Sequence, residues 1–411
     1  MKLIELTTNE FQEFTINHPN TSFYQTFQYA RFMEENGFEY NLIGLKDAYD
    51  RIIAASVILF KKINDKYFYG YAPKGFLINY DDPSLVKDFS IALSKYYKSK
   101  KVIFIKINPN IYISKYDKEN NRYIYNDNTK YIDYLKKNNF QELKRNKYFE
   151  SILPSYSPII DLSTYSYRLL DKNVRNKIRK CYRKGLSIEK SDYYHLNELY
   201  PLIKNKTKKS IKYYDNLFRS FQNAKMIDIF LVKVNFEEYL INTKDKYEKC
   251  LKINQLLNEK IKLDKTTKTM KQKIQSDIEL DALKQEIVKS TQGLAREKTK
   301  VIAGAITIKY KDKVDIFVSG YNKKFKELNV NDYLYYKLIE YYKHNYNYLD
   351  LNGFSGDTNN TNPYLGLNNF KIGFNPMVLE SLGEFDIVFN KRLYSKLSSN
   401  GTLTKVFNNL K

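Results

Sequence analysis

One short segment of this chain sets a single cation among bulky apolar side chains: Phe370, Lys371, Ile372, Gly373, Phe374. A lysine between two large apolar residues can be partly desolvated, and there its charge would stabilise a developing oxyanion better than in water. The same spelling fits a lysine on a surface strand, its stem lying on apolar neighbours and its ammonium in solvent. Residue types alone leave both readings open.

Several other machineries are disfavoured. No Gly-x-Gly occurs, so neither a dinucleotide fingerprint nor an acyl-CoA pyrophosphate cradle is visible. Gly70 and Gly75 have the spacing of a nucleotide phosphate loop, but Phe76 follows where a lysine is needed. His18, His195 and His344 are scattered, and neither cysteine stands at ligand spacing to them, which leaves only an all-carboxylate metal site open. Ser355, in Gly353-Phe354-Ser355-Gly356, lacks the spacing of a nucleophile elbow and reads as a turn serine. Five of the fourteen glycines fall between Gly353 and Gly383, which suits either a crowded loop around a ligand or ordinary tight turns.

The 411 residues carry 69 Lys and Arg against 46 Asp and Glu, a net charge of +23, so phosphates of nucleic acid, nucleotide or anionic lipid are natural partners. Abundant Lys, Asn, Ile and Tyr would also follow from an AT-rich genome. The charge is concentrated: residues 171–190 hold Lys172, Arg175, Lys177, Arg179, Lys180, Arg183, Lys184 and Lys190 against Asp171 and Glu189. A helix over 173–184, closed by Gly185 as a left-handed cap, would carry most of that patch, either as a phosphate-binding surface or as an ordinary solvated face.

The elements that must position these residues read as α/β, in an α+β arrangement. Helical patterns at 27–36 and 83–97 alternate with strand-like runs at 40–45, 52–61, 67–71 and 102–107; strands return at 301–310, 313–318 and 348–351 with a helix at 330–345. Two similar units follow, with domains expected at 1–155 and 156–385. The second is interrupted at 236–299 by an antiparallel helical hairpin of coiled-coil type. No glycine or proline occurs from Leu202 to Gln292, and Leu240, Tyr247, Leu257 and Ile261 answer Leu280, Leu283, Ile287 and Leu294 across a bend at Asp264–Lys268. The arm holds 15 basic and 11 acidic residues over 236–300, so a dimer contact fits it as well as a nucleic-acid contact. Two distant cysteines, a charged N-terminal stretch and no long apolar run predict a soluble cytosolic protein, with peripheral contact to the inner membrane leaflet open through its basic surface.

Nearly end to end, the chain resembles the FemABX family of peptidoglycan bridge-forming aminoacyltransferases, in its coiled-coil-bearing form. The likeness is carried by Phe23, Gln25, Gly37 and Leu42–Gly44, then by Tyr69–Gly75, Tyr80 and Ile105–Pro109. It continues through Asn173, Arg175, Asn176, Ile178, Lys180, Lys184 and Gly185. It ends in Ser319, Gly320, Gly353, Ser355, Gly356, Gly366, Phe370, Lys371, Gly373, Gly383 and Phe385.

The resemblance implies two acetyltransferase-like (GNAT) domains, with the tail 386–411 folding back on the first. It also implies transfer of an amino acid from aminoacyl-tRNA, as co-substrate and without a cofactor or metal, to the stem peptide of lipid II or UDP-MurNAc-pentapeptide. Lys371 matches the lysine given the oxyanion role, with Phe370 beside it near the tRNA acceptor end. Lys74, Arg31, Lys208, Lys209 and Lys212 are the candidates for the precursor diphosphate. Arg175, Lys177, Arg179, Lys180, Arg183 and Lys184 are those for tRNA phosphates. The chain departs from the family pattern at Met33, at Asn108, at Lys74 and Phe76, and at Ser210. Another acyl donor or amine acceptor, a non-catalytic tRNA-binding relative, and a homodimer or paralogue heterodimer through the arm remain the alternatives.

Overall fold

The computed structural model describes residues 1–408, and the last three residues of the expected tail lie outside them. Two sheets form the body. The first runs in the order Lys2–Glu5, Glu39–Lys46, Ile52–Lys62, Phe68–Lys74, Val102–Pro109, Phe385–Val388, Phe140–Glu142, with Leu77–Ile78 added beside Ile52–Lys62. The second runs Leu186–Ser191, Ile227–Asn235, Thr299–Tyr310, Lys313–Tyr321, Tyr348–Asp350, Tyr156–Asp161, Met377–Ser381, Tyr112–Asp117, Arg122–Tyr125.

The sheets exchange segments. Residues 112–125, which the sequence reading puts in the first unit, extend the second sheet, whereas Phe385–Val388 pairs with Val102–Pro109 and Phe140–Glu142 in the first. Behind that strand the helices Lys391–Ser399 and Thr402–Asn408 cover Tyr69 and Phe104.

Three apolar layers hold the body. Helix Pro83–Ser99 buries Leu85, Phe89 and Leu93 on the outer face of the first sheet. Helices Lys172–Arg183 and Val330–Tyr342 cover the outer face of the second, through Ile178, Cys181, Leu334 and Leu338. Between the sheets, Phe32, Leu59 and Tyr71 meet Leu199, Phe221 and Ile306 in one shared core. Among the described residues every strand pair is antiparallel but two: Phe68–Lys74 with Val102–Pro109, and Lys313–Tyr321 with Tyr348–Asp350. Lys74, Lys313, Asp315 and Asp350, which converge below, come from these two parallel pairs.

Phe236–Leu263 and Thr267–Leu294 form two antiparallel helices of 28 residues, each about 42 Å long at 1.5 Å per residue. Their turn is Asp264–Thr266, shorter than the bend the sequence suggests, and Thr266 caps the return helix by accepting from the Thr269 N–H. Leu280 and Leu283 are buried as expected, but on the outgoing helix the buried positions include Thr243 and Asn254. Asn254 donates to Ser276 Oγ at 3.0 Å and Asp277 Oδ1 at 2.8 Å, a polar layer that fixes the register.

Candidate functional site

Lys371 stands on a helix, Leu365–Ile372, and not on a strand. Residues four apart share a helix face, so Phe370 and Phe374 pack on each other at 5.4 Å between ring centroids, with Phe370 edge-on to Tyr335 at 5.0 Å. The lysine points elsewhere. Its desolvation comes from the turn after Asp350, where Asn352 and Gly353 both adopt left-handed backbone (φ 57° and 60°) and turn their carbonyls to accept from Lys371 Nζ. One helical turn earlier, Asn368 grips the same loop: its Oδ1 accepts from Ser355 N–H and its Nδ2 donates to Ser355 O. Ser355 Oγ is itself tied to Lys147 O, Asp357 N–H and Asn362, which makes it a turn serine.

Lys371 is 4% exposed. Burial holds its ammonium down at about 7, with Asp350 pulling it up and Lys206 adding repulsion. An ammonium has three N–H donors, and the two carbonyls take two of them.

Around the turn lies a narrow cleft between the sheets, lined by Tyr24, Lys74, Lys313, Asp315, Asp350 and Asn352. Strand alternation puts Lys313 and Asp315 on one face, and the parallel register sets Asp315 beside Asp350. Two carboxylates side by side repel, and Lys313 Nζ bridges them at 3.1 Å and 2.8 Å. Burial lifts the Asp315 carboxyl. Burial also works against the Asp350 carboxylate, but the charge and hydrogen bond of Lys313, with the Asn352 N–H and Lys74, together outweigh it and hold that group low. Lys74 enters from the end of its strand, in left-handed backbone, with its N–H donating to Asn108 Oδ1 at 2.9 Å. Burial and Lys313 bring its ammonium down to about 8, against the pull of Asp350 and Asp315. Asn110 joins this cleft to a broader one of about 870 Å³ that extends past Tyr112 and Tyr80.

The fold thus brings Lys74 into the field of both carboxylates and Lys371 into that of Asp350. The remaining diphosphate candidates sit apart. Arg31, on helix Phe27–Glu35, is exposed and paired with Glu34 at 2.7 Å. Lys208 and Lys212 are exposed, and Lys209 lies over the Tyr213 ring at 5.3 Å, at the junction of helices Leu196–Thr207 and Ile211–Phe221. From that junction it is Lys206 that reaches the field of Lys371.

On the basic helix, Arg175 donates to Arg168 O, Lys177 pairs with the buried Asp332 at 3.1 Å, and Lys184 is buried against Glu286 at 3.0 Å. Arg179, Lys180 and Arg183 face solvent. Sequence reading passed over Lys313, Asp315 and Asp350. The available signal was charge at alternate positions inside a strand, with an acid interrupting the apolar run Tyr348–Leu351.

The profile of the FemAB family matches residues 6–399. Aminoacyltransferase FemA of Staphylococcus aureus strain bovine RF122 / ET3-1 is 23% identical, with 96% of this chain and 97% of that one covered. Lipid II:glycine glycyltransferase of Staphylococcus aureus strain USA300 is 23% identical over 96% of this chain and 94% of that one. Among solved structures, FemX superposes with a TM-score of 0.72 at 20% identity, over 97% of this chain and all of the other. With its profile matched across nearly the whole length, the chain belongs to the FemAB family.

Proposed function

We propose that this chain takes an amino acid from its ester on tRNA and joins it to an amine on the stem peptide of a peptidoglycan precursor, lipid II or UDP-MurNAc-pentapeptide. The relatives named aminoacyltransferase and lipid II:glycine glycyltransferase, similar over their full lengths, support the reaction class. The observation that carries the site is the buried Lys371 ammonium, held by two carbonyls of the turn that borders the cleft through Asn352, with a third N–H left for the oxyanion.

An aminoacyl ester is already activated, so the protein's work is orientation and charge stabilisation. The acceptor amine attacks the ester carbonyl, a C–N bond forms, and the carbonyl oxygen becomes an oxyanion that the free N–H of Lys371 meets. The C–O bond to the ribose then breaks, and the ribose oxygen takes up the proton that the amine gives away. No cofactor is required. Phe370 lies at the tRNA acceptor end, and Lys74 binds the precursor diphosphate from within the cleft. Arg31 on helix Phe27–Glu35, and Lys208, Lys209 and Lys212 at the helix junction, lie apart from the cleft and draw the anionic precursor towards it. Arg179, Lys180 and Arg183 are the solvent-facing contacts for tRNA phosphates.

Two acetyltransferase-like domains, 1–155 with the returning tail and 156–385 with a coiled-coil arm, are the organisation this reading assigns. No helix among the described residues is long and apolar enough to cross a membrane. On this reading lipid II is met at the membrane's cytoplasmic face, helped by the positive surface.

The test is incubation with lipid II and a mixed pool of charged tRNAs, with product masses read by mass spectrometry. Addition of one residue or more is expected, and none with Lys371→Met in single turnover. Transfer from an acyl-CoA but from no charged tRNA would replace this reading with that of another N-acyltransferase.

A further inference from the structure

A continuous chain of polar contacts runs from the cleft to Lys371, and its centre is Asp350. One carboxylate oxygen, Oδ2, accepts from Lys313 Nζ at 2.8 Å; the other, Oδ1, accepts from the Asn352 N–H at 2.9 Å. That second bond closes the turn whose left-handed Asn352 and Gly353 present their carbonyls to Lys371. Asn352 is braced from the other side by Phe317 O, which accepts from its Nδ2 at 3.2 Å. Asp350 is 6% exposed, so it works in a medium where a charge acts strongly on its neighbours.

We propose that Asp350 is the positioning residue of Lys371: it locks the turn that grips the lysine and supplies the negative field that keeps the ammonium charged. This rests on reading Lys371 as the group that meets the oxyanion. The charged groups acting on Lys371 are Asp350, from strand Tyr348–Asp350, and Lys206, from helix Leu196–Thr207. Those acting on Asp350 include Lys313 and Lys74, with Asp315 beside it in register on the neighbouring strand. Asp350 and Lys206 oppose one another at the lysine, and only Asp350 also holds its partners in place. A mere structural acid in this turn would affect folding and rate without moving any titration.

The test is the pH profile of kcat/KM for aminoacyl transfer, with Asp350→Asn and Asp350→Ser compared to wild type. Both variants keep an oxygen able to accept from the Asn352 N–H, and both remove the charge. If a charged Lys371 is the working form, the wild-type rate falls as pH rises through about 7. The variants should show that descending limb about one pH unit lower, which is about a tenfold deficit on the alkaline side that shrinks on the acid side. Asp350→Glu should keep the wild-type limb, and Lys206→Met should move it upward.

A uniform loss at every pH, or a limb that does not move, overturns the proposal. If Asp350→Asn does not fold, Asp350→Ser, with no amide donor facing Lys313, carries the measurement. Lys371→Met separates the two levels. Wild-type rates in that variant would remove the underlying role of Lys371, whereas an inactive Lys371→Met with an unmoved limb in the Asp350 variants would remove only the role of Asp350.

Discussion

Asn235 and Thr299 are direct partners at the ends of adjacent antiparallel strands, so the arm leaves the second sheet and re-enters it at one point. Topologically the arm is an overgrown hairpin loop, while its base is part of the body. Phe236 and Tyr239 belong to the core, and a methyl group on Gly293 would sit 2.3 Å from the Phe236 ring. Removing residues 251–278, so that Cys250 and Glu279, which face each other across the arm, are joined by a short glycine-containing turn, should therefore leave the melting transition of the body intact. Solution mass and tRNA affinity, measured separately on that variant, decide what the outer arm does. A halved mass with unchanged tRNA affinity assigns it to dimerisation, and the converse to tRNA.

The basic helix divides cleanly between internal and external charge. Changing Arg179, Lys180 and Arg183 together to Ala should weaken tRNA binding and reduce the slope of log K against log salt by about 2 to 3, since each lost phosphate contact releases one fewer counterion. Lys184→Ala should leave that slope alone and lower stability instead, because it strands Glu286 beside a buried site. An unchanged slope in the triple variant would move the tRNA surface elsewhere.

Much of this was legible in the sequence wherever periodicity and punctuation agree. The strand run Ile52–Lys62, the helix Pro83–Ser99 with its Asp82 cap and Pro83 in the first turn, and the helix closed by Gly185 at φ 62° follow directly from residue types. The Lys371 segment was found for an incomplete reason. Flanking aromatics suggested desolvation, with a solvated lysine on a surface strand as the alternative, but the segment is helical, and the burial comes from the Asn352–Gly353 turn nineteen and eighteen residues upstream. The Lys313–Asp315–Asp350 cluster was missed because its meaning lies in register: until one parallel strand is slid against another, Asp315 and Asp350 are two unrelated acids. The segment exchange between the sheets was invisible for the same reason.

Gly320 marks the closest approach of helix Leu196–Thr207 to the second sheet. A methyl group there would stand 2.1 Å from the Leu202 carbonyl oxygen, a backbone atom that cannot swing aside. Gly320→Ala should cost about 1–3 kcal/mol in chemical denaturation, the usual range for overpacking a close contact. Because the same helix carries Lys206 towards Lys371, lifting it off the sheet eases that repulsion, and the alkaline limb of the transfer rate should move upward in the folded variant, as in Lys206→Met. Wild-type stability in this variant would mean that the helix rides higher on the sheet than described.

A buried lysine also leaves a thermodynamic signature that needs no substrate. In the folded chain Lys371 holds its proton only up to about 7, because burial penalises the charge, while in the unfolded chain it returns to the ordinary 10.5. Between those values the unfolded state binds more protons, so this residue makes wild-type stability rise with pH, by up to about 1.4 kcal/mol per pH unit. Below about 7 both states are protonated and the full penalty stands. Lys371→Met has no such group, although it leaves the carbonyls of Asn352 and Gly353 without their donor. Relative to wild type, the variant should therefore look most stable at pH 7 and lose ground steadily towards pH 9.5 in urea melts. Titrations of groups that do not act on Lys371 are common to the two proteins and cancel in the difference. A difference that stays flat across that window would mean the ammonium is solvated in the folded state, and the oxyanion role would lose its physical basis.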